Sequence, residues 1–139
     1  MKALITGATS GIGKAIAEEM AKRGISLILT GRNEAELRRM QKALPVSTEI
    51  IALDLAENQA PFTLYEFCKK KHVDILVNNA GFGVFGKFTE TALQEELELL
   101  QVNVRALHIL TKLFLRDFKK RNSGRILNVA SSAGFLTGP

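Results

Sequence analysis

Cysteine is almost absent from this chain, and its scarcity is the first constraint. The single thiol, Cys68, excludes an internal disulfide and fits a reducing, cytoplasmic setting. It is expected to be a small buried hydrophobe. Tryptophan is missing, tyrosine occurs once as Tyr65, and proline occurs three times. No apolar run approaches the roughly 20 residues that a membrane-spanning helix needs, so no membrane partner is expected. Met1-Lys2 leads straight into a strand-like stretch, so no secretory leader is expected. His72 and His108 stand alone, without metal-ligand spacing to cysteine or carboxylate clusters, so no metal is expected.

Acidic residues are outnumbered, 14 against 19 basic ones, which leaves a net charge of +5. Such an excess raises the question of nucleic acid. The basic residues do not form one patch, however. Lys69-Lys70-Lys71 and Lys119-Lys120-Arg121 each close a predicted helix, where cations complement the helix dipole. No aromatic residues are interleaved among them for base stacking, so no nucleic-acid partner is expected. With 46% hydrophobic and 24% charged residues, the 139-residue chain reads as one ordinary globular domain spanning 1–139.

What is present is alternation. Lys2 to Thr6 reads as a first strand, followed by a glycine loop and a helix from Lys14 to Arg23 with Ile12, Ile16 and Met20 one turn apart. Ser26 to Thr30 reads as strand two and Glu34 to Ala43 as a helix with Leu37, Met40 and Leu44 on one face. Glu49 to Leu53 is strand three. Pro61 opens a helix to about Lys71, with Leu64, Phe67 and Cys68 inward. Asp74 to Val77 is strand four. A long helical region is predicted from Thr91 to about Arg121, strand five from Arg125 to Ala130, and a tail from Ser131 to Pro139. The alternation predicts an α/β doubly wound parallel sheet with helices on both faces. The strands are nearly continuously apolar, as strands covered on both sides should be. The helix from Val102 carries apolar residues on two sides. One side can pack on the sheet; the other can lie under a loop or meet a second copy in a homo-oligomer.

In such a sheet ligands bind beyond the carboxyl ends of the strands. Here strand one ends at Gly7-Ala8-Thr9-Ser10-Gly11-Ile12-Gly13, strand two at Gly31-Arg32, strand three at Asp54-Leu55, strand four at Asn78-Asn79-Ala80-Gly81, and strand five at Ser131. Glycines let the backbone turn and approach a ligand, and the helix behind them offers N–H groups to a pyrophosphate.

The spacing T-G-x-x-x-G-x-G, the N-N-A-G segment, Asn103 in Val102-Asn103-Val104, and Ser131 after G-R-I-L-N-V-A resemble the short-chain dehydrogenase/reductase family. The resemblance implies a Rossmann fold with strand order 3-2-1-4-5. It implies hydride transfer between a nicotinamide cofactor and a small carbonyl or alcohol substrate. By that resemblance Ser131 and Asn103 are catalytic. Thr6, Gly7, Ser10, Gly11, Ile12, Gly13, Arg32, Asp54, Leu55, Asn79, Ala80 and Gly81 bind the cofactor. Strand two carries arginine rather than an acid, which favours NADP over NAD. The family's Tyr-x-x-x-Lys pair follows the serine and is expected shortly beyond Pro139, so the 139-residue chain is expected to be a catalytically incomplete N-terminal portion. Tyr65 and Lys69 share that spacing but precede strand four, and they are expected to lie away from the cleft. The alternative is a nucleotide-binding module without catalysis.

Overall fold

The computed structural model describes residues 1–135; residues 136–139, the end of the expected tail, lie outside the described residues. Five parallel strands run in the order β3-β2-β1-β4-β5, as the alternation and the resemblance predict. They are β1 (Lys2–Thr6), β2 (Ser26–Gly31), β3 (Thr48–Ala52), β4 (Ile75–Asn78) and β5 (Arg125–Asn128). Between them lie α1 (Gly11–Lys22), α2 (Glu34–Ala43), α3 (Ala60–Cys68), α4 (Leu93–Leu100) and α5 (Leu107–Lys120).

Successive side chains of a strand point to opposite faces, and this period builds two cores. Leu4, Ile28 and Leu76 face one way and meet Leu64 and Cys68 of α3 with Leu110, Phe114 and Phe118 of α5. Ala3, Ile5, Leu27 and Leu29 face the other way and meet Ala17 and Ala21 of α1 with Leu37 and Met40 of α2. Truncating a buried aromatic such as Phe114 to alanine would cost about 3–5 kcal/mol. Cys68 is buried as expected, and burial pushes its thiol up to about 12.

Three expectations need correction. The buried stripe of α1 is Gly13, Ala17 and Ala21, while Ile12 is 60% exposed at the helix start. Small residues win there because the helix sits close to the sheet. Strand β5, apolar in sequence, pairs among the described residues with β4 alone, and Leu127 is left 44% exposed. The predicted Thr91–Arg121 helix is two α-helices joined by a π-helical turn, Gln101–Ala106.

Candidate active site

A cavity of about 1130 Å³ opens along the carboxyl ends of the strands. Its floor begins with the glycine loop. Gly7 (φ +62°) and Gly11 (φ +49°) take left-handed backbone angles that favour glycine. Gly13 serves differently: a Cβ there would lie 2.2 Å from the Gly7 carbonyl oxygen. The first bond of α1 runs from the Lys14 N–H to the Ser10 carbonyl. The N–H groups of Gly11, Ile12 and Gly13 therefore have no partner in the helix. The Ser10 side chain caps none of them, and the first turn carries no acid. Unpaired N–H donors with no nearby acid are what an anion at a helix start requires.

Two further elements fix the loop. Thr6 Oγ1 accepts from the N–H groups of Asn79 and Ala80, both at 3.0 Å, and donates to the Val77 carbonyl. The Asn79 amide donates to the carbonyls of Thr6 and Gly7, both at 3.1 Å. Thr6 is 2% exposed and lies beneath the cavity. Thr6 and Gly13 thus shape the site from below. Gly7, Ser10, Gly11, Ile12, Arg32, Asp54, Leu55, Asn79, Ala80 and Gly81 line it directly.

At the β2–β3 end, Arg32 is exposed. Its basic neighbours are engaged: Lys14 and Arg39 pair with Glu36, and Arg38 pairs with Glu34. Those cations hold the Glu36 carboxyl below its ordinary value through hydrogen bonds from Arg39 and Lys14. Arg32 has no ion pair among the described residues and is the one cation among the described residues that line the cavity. Asp54 closes a small turn by accepting from the Ala56 N–H at 2.9 Å.

The β4–β5 end holds the residues with the catalytic resemblance. Asn103 lies within the π turn. Its Oδ1 accepts from the Phe82 N–H at 3.1 Å, and its Nδ2 donates to the Phe82 carbonyl at 2.8 Å. Both polar functions of this mid-helix asparagine are therefore used to pin the loop after β4. Ser131 and Asn103 both line the cavity, and the Ser131 hydroxyl accepts from the Ala133 N–H at 3.1 Å. Asn78 lies deeper, 3% exposed, and its amide donates to Thr111 and Asn128.

Tyr65 is not among the lining residues. It packs edge-on against Phe114, with centroids 5.5 Å apart, and its hydroxyl donates to Asp117 at 2.7 Å. Burial, then the Asp117 carboxylate, pushes its pKa up to about 12. A phenol so held is a poor proton donor, and it lies under α5 rather than in the cleft.

Sequence reasoning left several lining residues without a role, among them Thr9, Phe82, Val84, Phe85, Glu98 and Leu99. In the sequence, Phe82-Gly83-Val84-Phe85-Gly86 reads as a glycine- and phenylalanine-rich loop after strand four and no more. Glu98 carried no signal, because an unbroken α-helix would set it about 140° from Asn103. With the π turn between them, both reach the cavity.

The family model described as short chain dehydrogenase matches residues 1–139. An uncharacterized oxidoreductase of Staphylococcus epidermidis is 33% identical over 139 residues, covering 96% of this chain and 59% of the relative. The human inactive hydroxysteroid dehydrogenase-like protein 1 is 35% identical over 138 residues, covering 94% and 42%. The structure of a short-chain dehydrogenase from Sphingobium yanoikuyae in complex with NADPH superposes with a TM-score of 0.90 at 31% identity, covering 97% of this chain and 55% of that one. The chain thus spans roughly half the length of the proteins it matches. With a parallel sheet, a glycine loop at its switch point and a model match along the whole sequence, the chain belongs to the short-chain dehydrogenase family.

Proposed function

We propose that this chain is the dinucleotide-binding domain of an NADP(H)-dependent oxidoreductase that interconverts a carbonyl and an alcohol. One observation carries the reading. The unpartnered N–H groups opening α1 face the same cavity as Arg32, the one lining cation without a carboxylate partner among the described residues. The glycine loop and α1 would take the pyrophosphate, and Arg32 the 2′-phosphate of the adenosine ribose. Asp54 and Leu55 would border the adenine, and Asn79, Ala80 and Gly81 the remainder of the cofactor. The residues present fit such a group: two left-handed glycines clear its path, and no side-chain acid opposes it at the helix start.

When bound, NADP(H) supplies or accepts the hydride. The chain's own residues position and stabilise. Ser131 would hold the substrate oxygen through its hydroxyl, favouring charge that develops there. Asn103 keeps the roof loop over the cavity by its two bonds to Phe82. The tyrosine and lysine of proton transfer belong to the part of the family downstream of the serine. The reading also places the protein in the cytoplasm as a homo-oligomer. Among the described residues no helix is long and apolar enough to cross a membrane.

A second reading is a nucleotide-binding protein without catalysis. The position of Tyr65, half-buried against α5 and bonded to Asp117 away from the cavity, supports it.

The test titrates NADPH and NADH against nicotinamide fluorescence. One or two charge-assisted bonds, each about 1.5–3 kcal/mol, predict at least roughly tenfold tighter NADPH binding. Arg32→Ala should erase the preference. Equal affinities in the parent chain, unchanged by Arg32→Ala, would remove Arg32 from the site.

A further inference from the structure

The cavity is electrically and chemically polarised along the sheet. It spans the ends of five strands, four spacings of about 4.8 Å, so its ends lie roughly 19 Å apart. The β2–β3 end holds Arg32 with Asp54 and lies beside the bare N-terminus of α1, so it offers cationic and N–H donor groups to an anion. The β4–β5 end has no lysine or arginine among its described lining residues; its only charged side chain is Glu98. Its walls are Phe82, Val84 and Phe85 of the roof loop with Leu99 and Val102. Phe85 is 94% exposed and Phe82 39% exposed. Asn103 bonds both backbone groups of Phe82 and so fixes the start of the aromatic loop at the cavity. Glu98 is half-buried, and its carboxylate accepts from Gln94 at 3.0 Å. That partner is neutral and leaves its charge uncompensated.

Resting on the coenzyme reading above, we infer that the substrate at the β4–β5 end is an uncharged, largely apolar ketone or its alcohol. Glu98 is the residue that turns anionic carbonyl compounds away. An apolar ligand gains by covering Phe82 and Phe85. A ligand carrying a carboxylate or phosphate meets the Glu98 charge and finds no cation among the described residues at this end of the cavity to offset it.

The test uses the 139-residue chain with NADPH bound, and two cyclic ketones as probes: 4-tert-butylcyclohexanone and 4-oxocyclohexanecarboxylate. NADPH affinity is measured first, and ketone binding is then read as a change in nicotinamide fluorescence. The uncharged ketone should bind and the carboxylate should bind at least tenfold more weakly. Glu98→Gln should improve binding of the carboxylate about three- to tenfold, with the gain shrinking in high salt, and leave the uncharged ketone unchanged. Phe85→Ala, at an exposed position that the fold does not need, should weaken the uncharged ketone several-fold. An NADPH affinity unchanged in both variants shows that each is folded. Failure of the parent chain to bind NADPH overturns the coenzyme reading and this inference with it. If NADPH binds but the two ketones bind alike, or Glu98→Gln moves neither, the substrate inference alone falls.

Discussion

Gly13→Ala tests whether packing, rather than helix propensity, selects glycine at the start of α1. In an isolated helix the change would stabilise by about 1 kcal/mol. Here the new Cβ would lie 2.2 Å from the Gly7 carbonyl oxygen and 2.3 Å from the Asn79 amide nitrogen. The first contact is backbone, so the loop itself has to move. Forcing a methyl into packed structure costs about 1–3 kcal/mol. Displacing Asn79 adds the loss of its bonds to Thr6 and Gly7, each worth about 0.5–1.5 kcal/mol. The opposing terms leave a net loss of about 3 kcal/mol, or roughly 10 °C in Tm for a domain of this size. Thermal unfolding by circular dichroism reads the first effect, and NADPH titration reads the second, which should be loss of measurable binding. Gly11→Ala is the control. Its Cβ would meet nothing within 4 Å, but its φ of +49° imposes strain of about 1 kcal/mol. It should lose about a third as much stability. A Gly13→Ala protein as stable as the parent, with its NADPH affinity intact, would refute the packing argument.

Two further outcomes follow from the same structure. Asn103→Ala should cost about 1–2 kcal/mol and speed hydrogen exchange at the Phe82 amide, which loses its acceptor; exchange at the parent rate would show that the roof loop is held by something else. Glu49 accepts from Lys71 and Lys2, and these bonds hold its carboxyl below the ordinary 4.5. A depressed folded value contributes stability that is complete above the unfolded value and fades as pH falls through the folded one. Glu49→Gln should therefore melt below the parent at pH 7, and the gap should close as the pH drops below 4.5. A gap that persists in acid would locate the effect in packing instead of charge.

The sheet order was legible because each apolar run ends in residues that suit a strand-end site, and because strand and helix alternate without interruption. What escaped was set by neighbours rather than by local pattern. Leu127 lies in an apolar strand of the kind covered on both sides, yet among the described residues β5 pairs with β4 alone and nothing covers Leu127 fully. Ile12 fits a helical stripe, but the close approach of α1 to Gly7 and Asn79 reserves the inner face for Gly13, Ala17 and Ala21. The π turn was legible in part: the family resemblance implies a local helix distortion held by Asn103, but the extent of the turn, Gln101–Ala106, shows only in the structure. Thr6 and Asn79 stood out in the motif, yet sequence alone does not reveal that their side chains bond each other's backbone across two strands.

Those cross-strand bonds explain how a site made of loops can hold a fixed geometry. At the switch point the connections from β1 and β4 leave toward opposite faces, and the gap between them strips the local backbone of its ladder partners. Thr6 Oγ1 answers with its full hydrogen-bonding capacity, two bonds accepted and one donated. Asn79 returns two bonds to the glycine loop. From Asn79 the tie continues along the short backbone run Ala80-Gly81 to Phe82, where Asn103 takes both the N–H and the carbonyl. The glycine loop, the loop after β4 and the π turn are thereby one connected unit. A displacement of about 1 Å between reacting groups can cost two orders of magnitude in rate. Tying the N-terminal end of α1 to the apolar end of the cavity through backbone groups keeps that distance out of reach of loop motion, and it does so with side chains that need not touch the reacting atoms.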